Sequence, residues 1–188
     1  ASSGGSAKPS AVWRRHSKEL AVVATPPPQQ RMQPISAAKS WDVAPITSVA
    51  ELADWVGYEV DELLWFADLK GLGFRRKESK LRHYSYRILT KNSSGSVRVI
   101  EAPKRRLKDI QTLILKCILQ KIPPHDSVHG FVKKRSVTTF VAPHVGRHVV
   151  LRMDLKDFFT SFSAARIQAF FRTLGYPEPV ADLLGALC

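Results

Sequence analysis

Val149-Val150-Leu151-Arg152-Met153-Asp154-Leu155-Lys156-Asp157-Phe158-Phe159 is the stretch on which the reading of the fold turns. Up to Leu155 it is apolar apart from Arg152 and Asp154, and its length predicts a short buried strand over 149–155. The strand runs into a carboxylate, and two aromatics follow. A strand end is a rigid place from which to hold a metal-binding acid. Mg²⁺ takes hard oxygen ligands, and phosphoryl transfer by two metals needs carboxylates converging on ions about 3.5–4 Å apart. An Asp in this position is equally a helix cap or a charge that keeps a sheet edge soluble. Asp157, three residues on, reads as the cap of a helical turn that offers its backbone amide. Phe158 and Phe159 read as packing residues, one of which could wall a nucleotide pocket.

Around this stretch the pattern is mixed helix and strand, an α+β class. Ser48-Val49-Ala50-Glu51 has the form of a capping box, and order is expected to begin there. Leu52, Trp55 and Val56 share one helical face. A second helix is predicted from Glu59 to Lys70, with Leu63, Leu64, Phe66 and Ala67 inward and Gly71 and Gly73 ending it. His83 to Thr90 alternates and is rich in Tyr and Ile, which suits a strand. Asn92-Ser93-Ser94-Gly95 is turn chemistry, and Val97 to Ile100 is the return strand, stopped by Pro103. Leu107, Ile110, Leu113, Ile114, Cys117 and Ile118 repeat at a helical period over 106–121. Ser163 can cap a helix carrying Ile167, Phe170, Phe171 and Leu174. A last helix begins after Pro177 or Pro179.

Residues 1–45 hold six of the twelve prolines with many Ser, Ala and Gln, and are expected to form a disordered tail, leaving 46–188 as the folded part. The charge is strongly basic: 29 Lys and Arg against 16 Asp and Glu, a net +13. Between Lys70 and Lys108 thirteen Lys and Arg face only Glu78 and Glu101. Such a surface suits a polyanion, and nucleic acid is the natural one. Arg75, Arg76, Lys77, Lys104, Arg105 and Arg106 are the candidate phosphate contacts. Lys91 and Arg98 flank the hairpin turn, a cation on each arm, and a tip of that kind can fold over a triphosphate; an ordinary basic hairpin would look the same.

Other chemistries find little support. Cys117 and Cys188 make no disulfide framework, and a reducing, cytoplasmic setting is expected. No apolar run reaches membrane-spanning length, so no membrane partner is expected. His125 with His129, and His144 with His148, have zinc-ligand spacing, but Pro123-Pro124, Gly130, Pro143 and Gly146 interrupt any helix that would align them. There is no Walker-type glycine loop, no Cys-x-x-Cys pair and no strained nucleophile turn.

The ordered pieces together resemble the fingers and the start of the palm of a bacterial reverse transcriptase, of the retron type. They are Tyr86-Arg87-Ile88 before Lys91; Gly95 through Arg98-Val99-Ile100 to Pro103; Leu107-Lys108, Gln111, Ile114 and Ile118-Leu119; His129-Gly130-Phe131 with Ser136; Ala142 and His144; and Asp154-Leu155-Lys156-Asp157-Phe158-Phe159 with Ser161. The similarity runs from about Tyr84 to Cys188. Val141 stands where the family often has Asn, which makes the retron type less firm than the reverse transcriptase class.

The resemblance implies a right-hand polymerase that copies a structured RNA template and primer into DNA from dNTPs with Mg²⁺, and that holds an RNA–DNA hybrid. It implies that Asp154 is the catalytic metal ligand and that the Leu155 carbonyl touches a metal. It places Phe159 beneath the sugar, and Lys91 and Arg98, with Asp157, around the incoming nucleotide. It also implies a role in anti-phage defence, with an effector protein that the sequence does not identify. The family's Tyr-x-Asp-Asp turn is absent; it is expected beyond Cys188, and this polypeptide by itself is expected to be inactive. A group II intron-like or CRISPR-associated reverse transcriptase, and a non-catalytic module binding structured RNA, are the alternative readings.

Overall fold

The computed structural model describes residues 30–72, 81–90 and 97–188. Among them are six α-helices and one two-stranded antiparallel sheet, an α+β arrangement. The N-terminal pair is α1 (Val49–Val56) and α2 (Val60–Ala67). Ser48 caps α1, its hydroxyl accepting from the Glu51 amide at 3.1 Å. The reciprocal arm of the expected capping box is shifted by one residue: the Glu51 carboxylate accepts from the amide and hydroxyl of Thr47. Those bonds hold the carboxyl below its usual range. α2 stops sooner than its sequence suggests. Asp68 adopts φ 41°, a left-handed conformation that Asp tolerates better than most residues, and its carboxylate takes the Leu72 amide at 2.8 Å.

The hairpin pairs β1 (Tyr84–Thr90) with β2 (Val97–Pro103), in a register running from Tyr84 opposite Pro103 to Thr90 opposite Val97. Its root is fixed by the Lys104 amide donating to the His83 carbonyl at 2.8 Å. α3 (Arg105–Cys117) follows, with Leu107, Ile110, Ile114 and Ile118 buried as the period foretold. α5 (Ala164–Thr173) and α6 (Glu178–Leu187) close the chain. α6 is apolar nearly all round and sits inside the helical body. Gly185 lets it approach α5: a Cβ there would lie 2.6 Å from Gln168 Cγ and 3.0 Å from that residue's backbone.

A buried ion cluster joins these two helices. The Arg172 guanidinium, 6% exposed, donates to Glu178 at 2.5 Å and to Asp182. Glu178 also accepts the Arg31 amide at 2.5 Å. Burial pushes the Glu178 carboxyl up, but the Arg31 amide and the Arg172 guanidinium outweigh it and leave it below its usual range. A buried acid and a half-buried one around a buried cation are the pairing that a low-dielectric site requires.

Order does not begin at Ser48. Residues 30–47 lie against the helical body: the Ile35 amide bonds the Thr173 carbonyl at 3.0 Å, Ile46 and Ala38 are buried, and Tyr176 donates its hydroxyl to Ala44 O at 2.9 Å. Burial raises the Tyr176 phenol to about 12, so it remains a donor at any physiological pH. Proline content had argued for a free tail here, but Ile46 is buried in the core cluster and Trp41 packs against it. The expected tail over residues 1–29 lies outside the described residues.

The largest correction concerns 149–155. No strand forms there; Val149, Leu151, Met153 and Leu155 are 69–84% exposed. A strand needs a neighbour to receive its backbone N–H and C=O groups. Among the described residues the two strands pair with each other, and the 149–155 stretch joins neither of their open edges. No helix among the described residues is long and apolar enough to cross a membrane.

Candidate nucleotide and nucleic-acid site

Asp154 stands on the exposed extended segment before a turn. The turn is built by Asp157, whose φ of 52° reverses the chain. Its carbonyl, and neither its carboxylate nor its amide, makes the bonds: it accepts from the Ser161 amide at 3.1 Å and from the Thr160 hydroxyl at 2.9 Å. A short 3₁₀ turn, Phe159–Ser161, follows. Phe158 packs edge-on against Phe159 and Phe162, with centroids 5.4 and 5.0 Å apart, and leaves Phe159 82% exposed. Asp154, Leu155, Asp157 and Phe159 therefore lie together on one solvent-facing loop, with Phe159 open to contact.

The donors for a metal are few. Two Mg²⁺ ions need several converging carboxylates, and no three His, Cys, Asp or Glu side chains come together among the described residues. Asp154 and the Leu155 carbonyl do not by themselves fit a metal pair. The spaced histidines likewise form no ligand cluster. His129 Nδ1 is instead 3.0 Å from the Thr139 hydroxyl, and its ring meets Phe140, which meets His144.

The hairpin contributes cations, though not all those expected. Lys91, Arg75, Arg76 and Lys77 lie outside the described residues. Arg98 is exposed on β2 opposite Leu89. Strand alternation puts Arg87 on the same face as Arg98, diagonally across the pair. The other face carries Ile88, Val97 and Val99, 55–70% exposed. Arg87 was missed as a site residue, although the alternation that predicts the strand also fixes its face.

The basic run at the start of α3 divides by role. Lys104 is the N-cap residue and half-buried, and Arg105 is exposed. Arg106 binds Glu62 at 2.6 Å and reaches the Tyr58 hydroxyl at 3.4 Å. Its guanidinium lies over the Tyr58 and Phe66 rings, 4.7 and 5.1 Å from their centroids. Its bond to Glu62 is the main reason its pKa is raised. Arg106 thus ties α3 to α2, a use of the residue that charge counting cannot reveal.

No family model matches the chain. Curated relatives do. Retron Mx65 reverse transcriptase of Myxococcus xanthus is 45% identical over 119 residues, 63% of this chain and 28% of that protein. Retron Mx162 reverse transcriptase of the same organism is 35% identical over 150 residues, 80% of this chain and 30% of that protein. Retron Ec86 reverse transcriptase of Escherichia coli is 34% identical over 108 residues, 56% of this chain and 34% of that protein. The matches cover about a third of the length of these relatives. They bear out the resemblance to retron-type reverse transcriptases read from the residues.

Proposed function

We propose that this chain belongs to an RNA-directed DNA polymerase of the retron type, and that it supplies the fingers and the opening of the palm. The observation that carries the reading is the 45% identity over 119 residues to a retron reverse transcriptase. The geometry supports it in three places. A cationic hairpin face carries Arg98 and Arg87, matching the need for planar, bidentate contacts to phosphate oxygens. An exposed loop gathers Asp154, Asp157 and Phe159. A net charge of +13 suits a structured RNA template and primer and an RNA–DNA hybrid.

In this reading Asp154 is one carboxylate of a Mg²⁺ site, flanked by the Leu155 carbonyl. Phe159 lies against the sugar of an incoming dNTP. Lys91 and Arg98 hold its phosphates, and the backbone at Asp157 lies nearby. The remaining basic residues, Arg75, Arg76, Lys77, Lys104 and Arg105, meet the nucleic-acid backbone, and the work takes place in the cytoplasm.

Asp154→Asn in the complete gene product tests it. The exchange keeps the shape and removes the charge, so cDNA synthesis on a structured RNA should fall by at least about 10²-fold, the scale of losing one electrostatic partner in an active site. RNA affinity, measured in parallel, should be unchanged. A variant that synthesises DNA at the parental rate would overturn the assignment and favour a non-catalytic RNA-binding role.

A further inference from the structure

The residues from Ser127 to Met153 contain no Asp or Glu, and they hold five Lys and Arg: Lys133, Lys134, Arg135, Arg147 and Arg152. This stretch lies outside the basic run around the hairpin. It is built as a self-bonded loop, not as an extension of the core. The Arg135 guanidinium donates to the carbonyls of His125 and Asp126, each at 2.9 Å, and to that of Val128. It also meets the Asp126 carboxylate at 3.3 Å. Ser136 and Thr139 form a reciprocal capping box at the start of α4 (Val137–Val141), and Thr139 receives His129.

What this scaffold holds up is Phe131. Its relative exposure is 109%, the highest among the large exposed apolar side chains described. Its φ is +60°, and Lys134 three residues on has φ +64°. A bulky aromatic in the left-handed region is disfavoured and persists only where its surroundings fix it; such outliers gather at ligand contacts. Arg135 braces the approach to it, bonding the carbonyls of His125, Asp126 and Val128 upstream of Phe131. A recess of about 310 Å³ adjoins it, lined by His129, Gly130, Ser136, Val137 and Phe140.

We propose that the loop around Phe131 is a docking surface for single-stranded RNA, with an unpaired base stacked on the Phe131 ring, a neighbouring base in the recess beside His129 and Phe140, and Lys133 and Lys134 on the phosphates. Ring faces set beside cations are how proteins grip single strands without reading sequence. A protein partner fits less well, because covering Phe131 with apolar surface would also strip water from Lys133 and Lys134, and the acid nearest them in sequence, Asp126, already meets Arg135. The inference shares with the polymerase reading only the identity of its ligand, and needs neither metal nor nucleotide.

The test uses this chain in EDTA with an unstructured oligoribonucleotide carrying 2-aminopurine, read by fluorescence quenching and by anisotropy across a salt series. Phe131→Ala should weaken binding about 5- to 100-fold and abolish part of the quenching, while Phe131→Tyr keeps both. Lys133→Gln with Lys134→Gln should flatten the salt slope by about 0.7 per cation removed. Parental affinity and quenching in Phe131→Ala, or equal losses in the Ala and Tyr variants, would overturn the proposal. So would a change confined to self-association in sedimentation. Because no synthesis is measured, failure here leaves the Asp154 test standing, and failure of that test leaves this one standing.

Discussion

The helical body and the arm from Pro123 to Ser163 draw on similar apolar residues and end in opposite states. In the body, Leu52, Leu63, Ile114, Ile118, Val180 and Leu184 lose all contact with water. In the arm, Val137, Val145, Leu151 and Phe159 keep more than 70% of theirs. Hydrophobicity alone does not decide burial; the presence of a facing surface does. The body supplies that surface to itself, with α6 at the centre, packed on its neighbour α5 and on the sequence-distant α1, α2 and α3. The arm holds its shape by another means, through backbone carbonyls gathered on Arg135 and turns closed by Thr139, Thr160 and Ser161. It is the polar bonding of the arm, and not its many apolar side chains, that sets its conformation.

This contrast breaks most visibly at Arg172. Arg172→Ala leaves buried Glu178 with only the exposed Arg31 side chain at 3.7 Å as its cation, and the body should lose about 3–5 kcal/mol, measured as a shift in thermal or urea unfolding followed by circular dichroism. A loss below about 1 kcal/mol would show that the ion cluster is incidental to the body. Acid attacks the same cluster more gently. The Glu178 carboxyl is held below its unfolded value, so its contribution is present above that value, roughly pH 4.3. It fades as pH falls through the lower folded value. Urea midpoints taken from pH 7 to pH 3 should therefore fall in the parent, and fall less steeply in Glu178→Gln. At the small end, Leu151→Ser changes an exposed arm residue and should move the unfolding midpoint by no more than about 0.5 kcal/mol. A larger effect would mean that the arm is packed in solution and that the two regions are not distinct.

Periodicity and capping made the body legible. The 107–110–114–118 spacing, the Ser48 cap and the two hairpin strands are local signals, set by residues a few positions apart; the turn expected at 92–95 lies outside the described residues. The same holds for α6 after Pro177. The segment 30–47 was not legible, because its docking depends on contacts 132 to 147 residues away, such as Tyr176 with Ala44 and Glu178 with Arg31. The strand expected at 149–155 failed for a related reason: composition favours an extended chain, but pairing is settled by neighbours that the stretch does not encode. At the candidate site, the sequence reading picked out Asp154, Asp157 and Phe159, and these share one loop. It counted Arg106 among the nucleic-acid contacts, and the structure spends that side chain on Glu62 and two rings. It quoted Phe131 only as part of the resemblance and gave it no role, since its backbone angle and full exposure are visible only in the structure.

One amide at the root of the hairpin has a mechanical consequence. The Gln111 side-chain nitrogen, on α3, donates at once to the Tyr84 hydroxyl at the start of β1, at 3.2 Å, and to the Leu187 carbonyl at the end of α6, at 2.9 Å. Both of its hydrogens are thereby committed. The hairpin cannot tilt outward without stretching one of these links, so Gln111 acts as a tether between a projecting lever and the innermost helix. A pull along the strands is shared between that nitrogen and the Lys104 amide at the hairpin root.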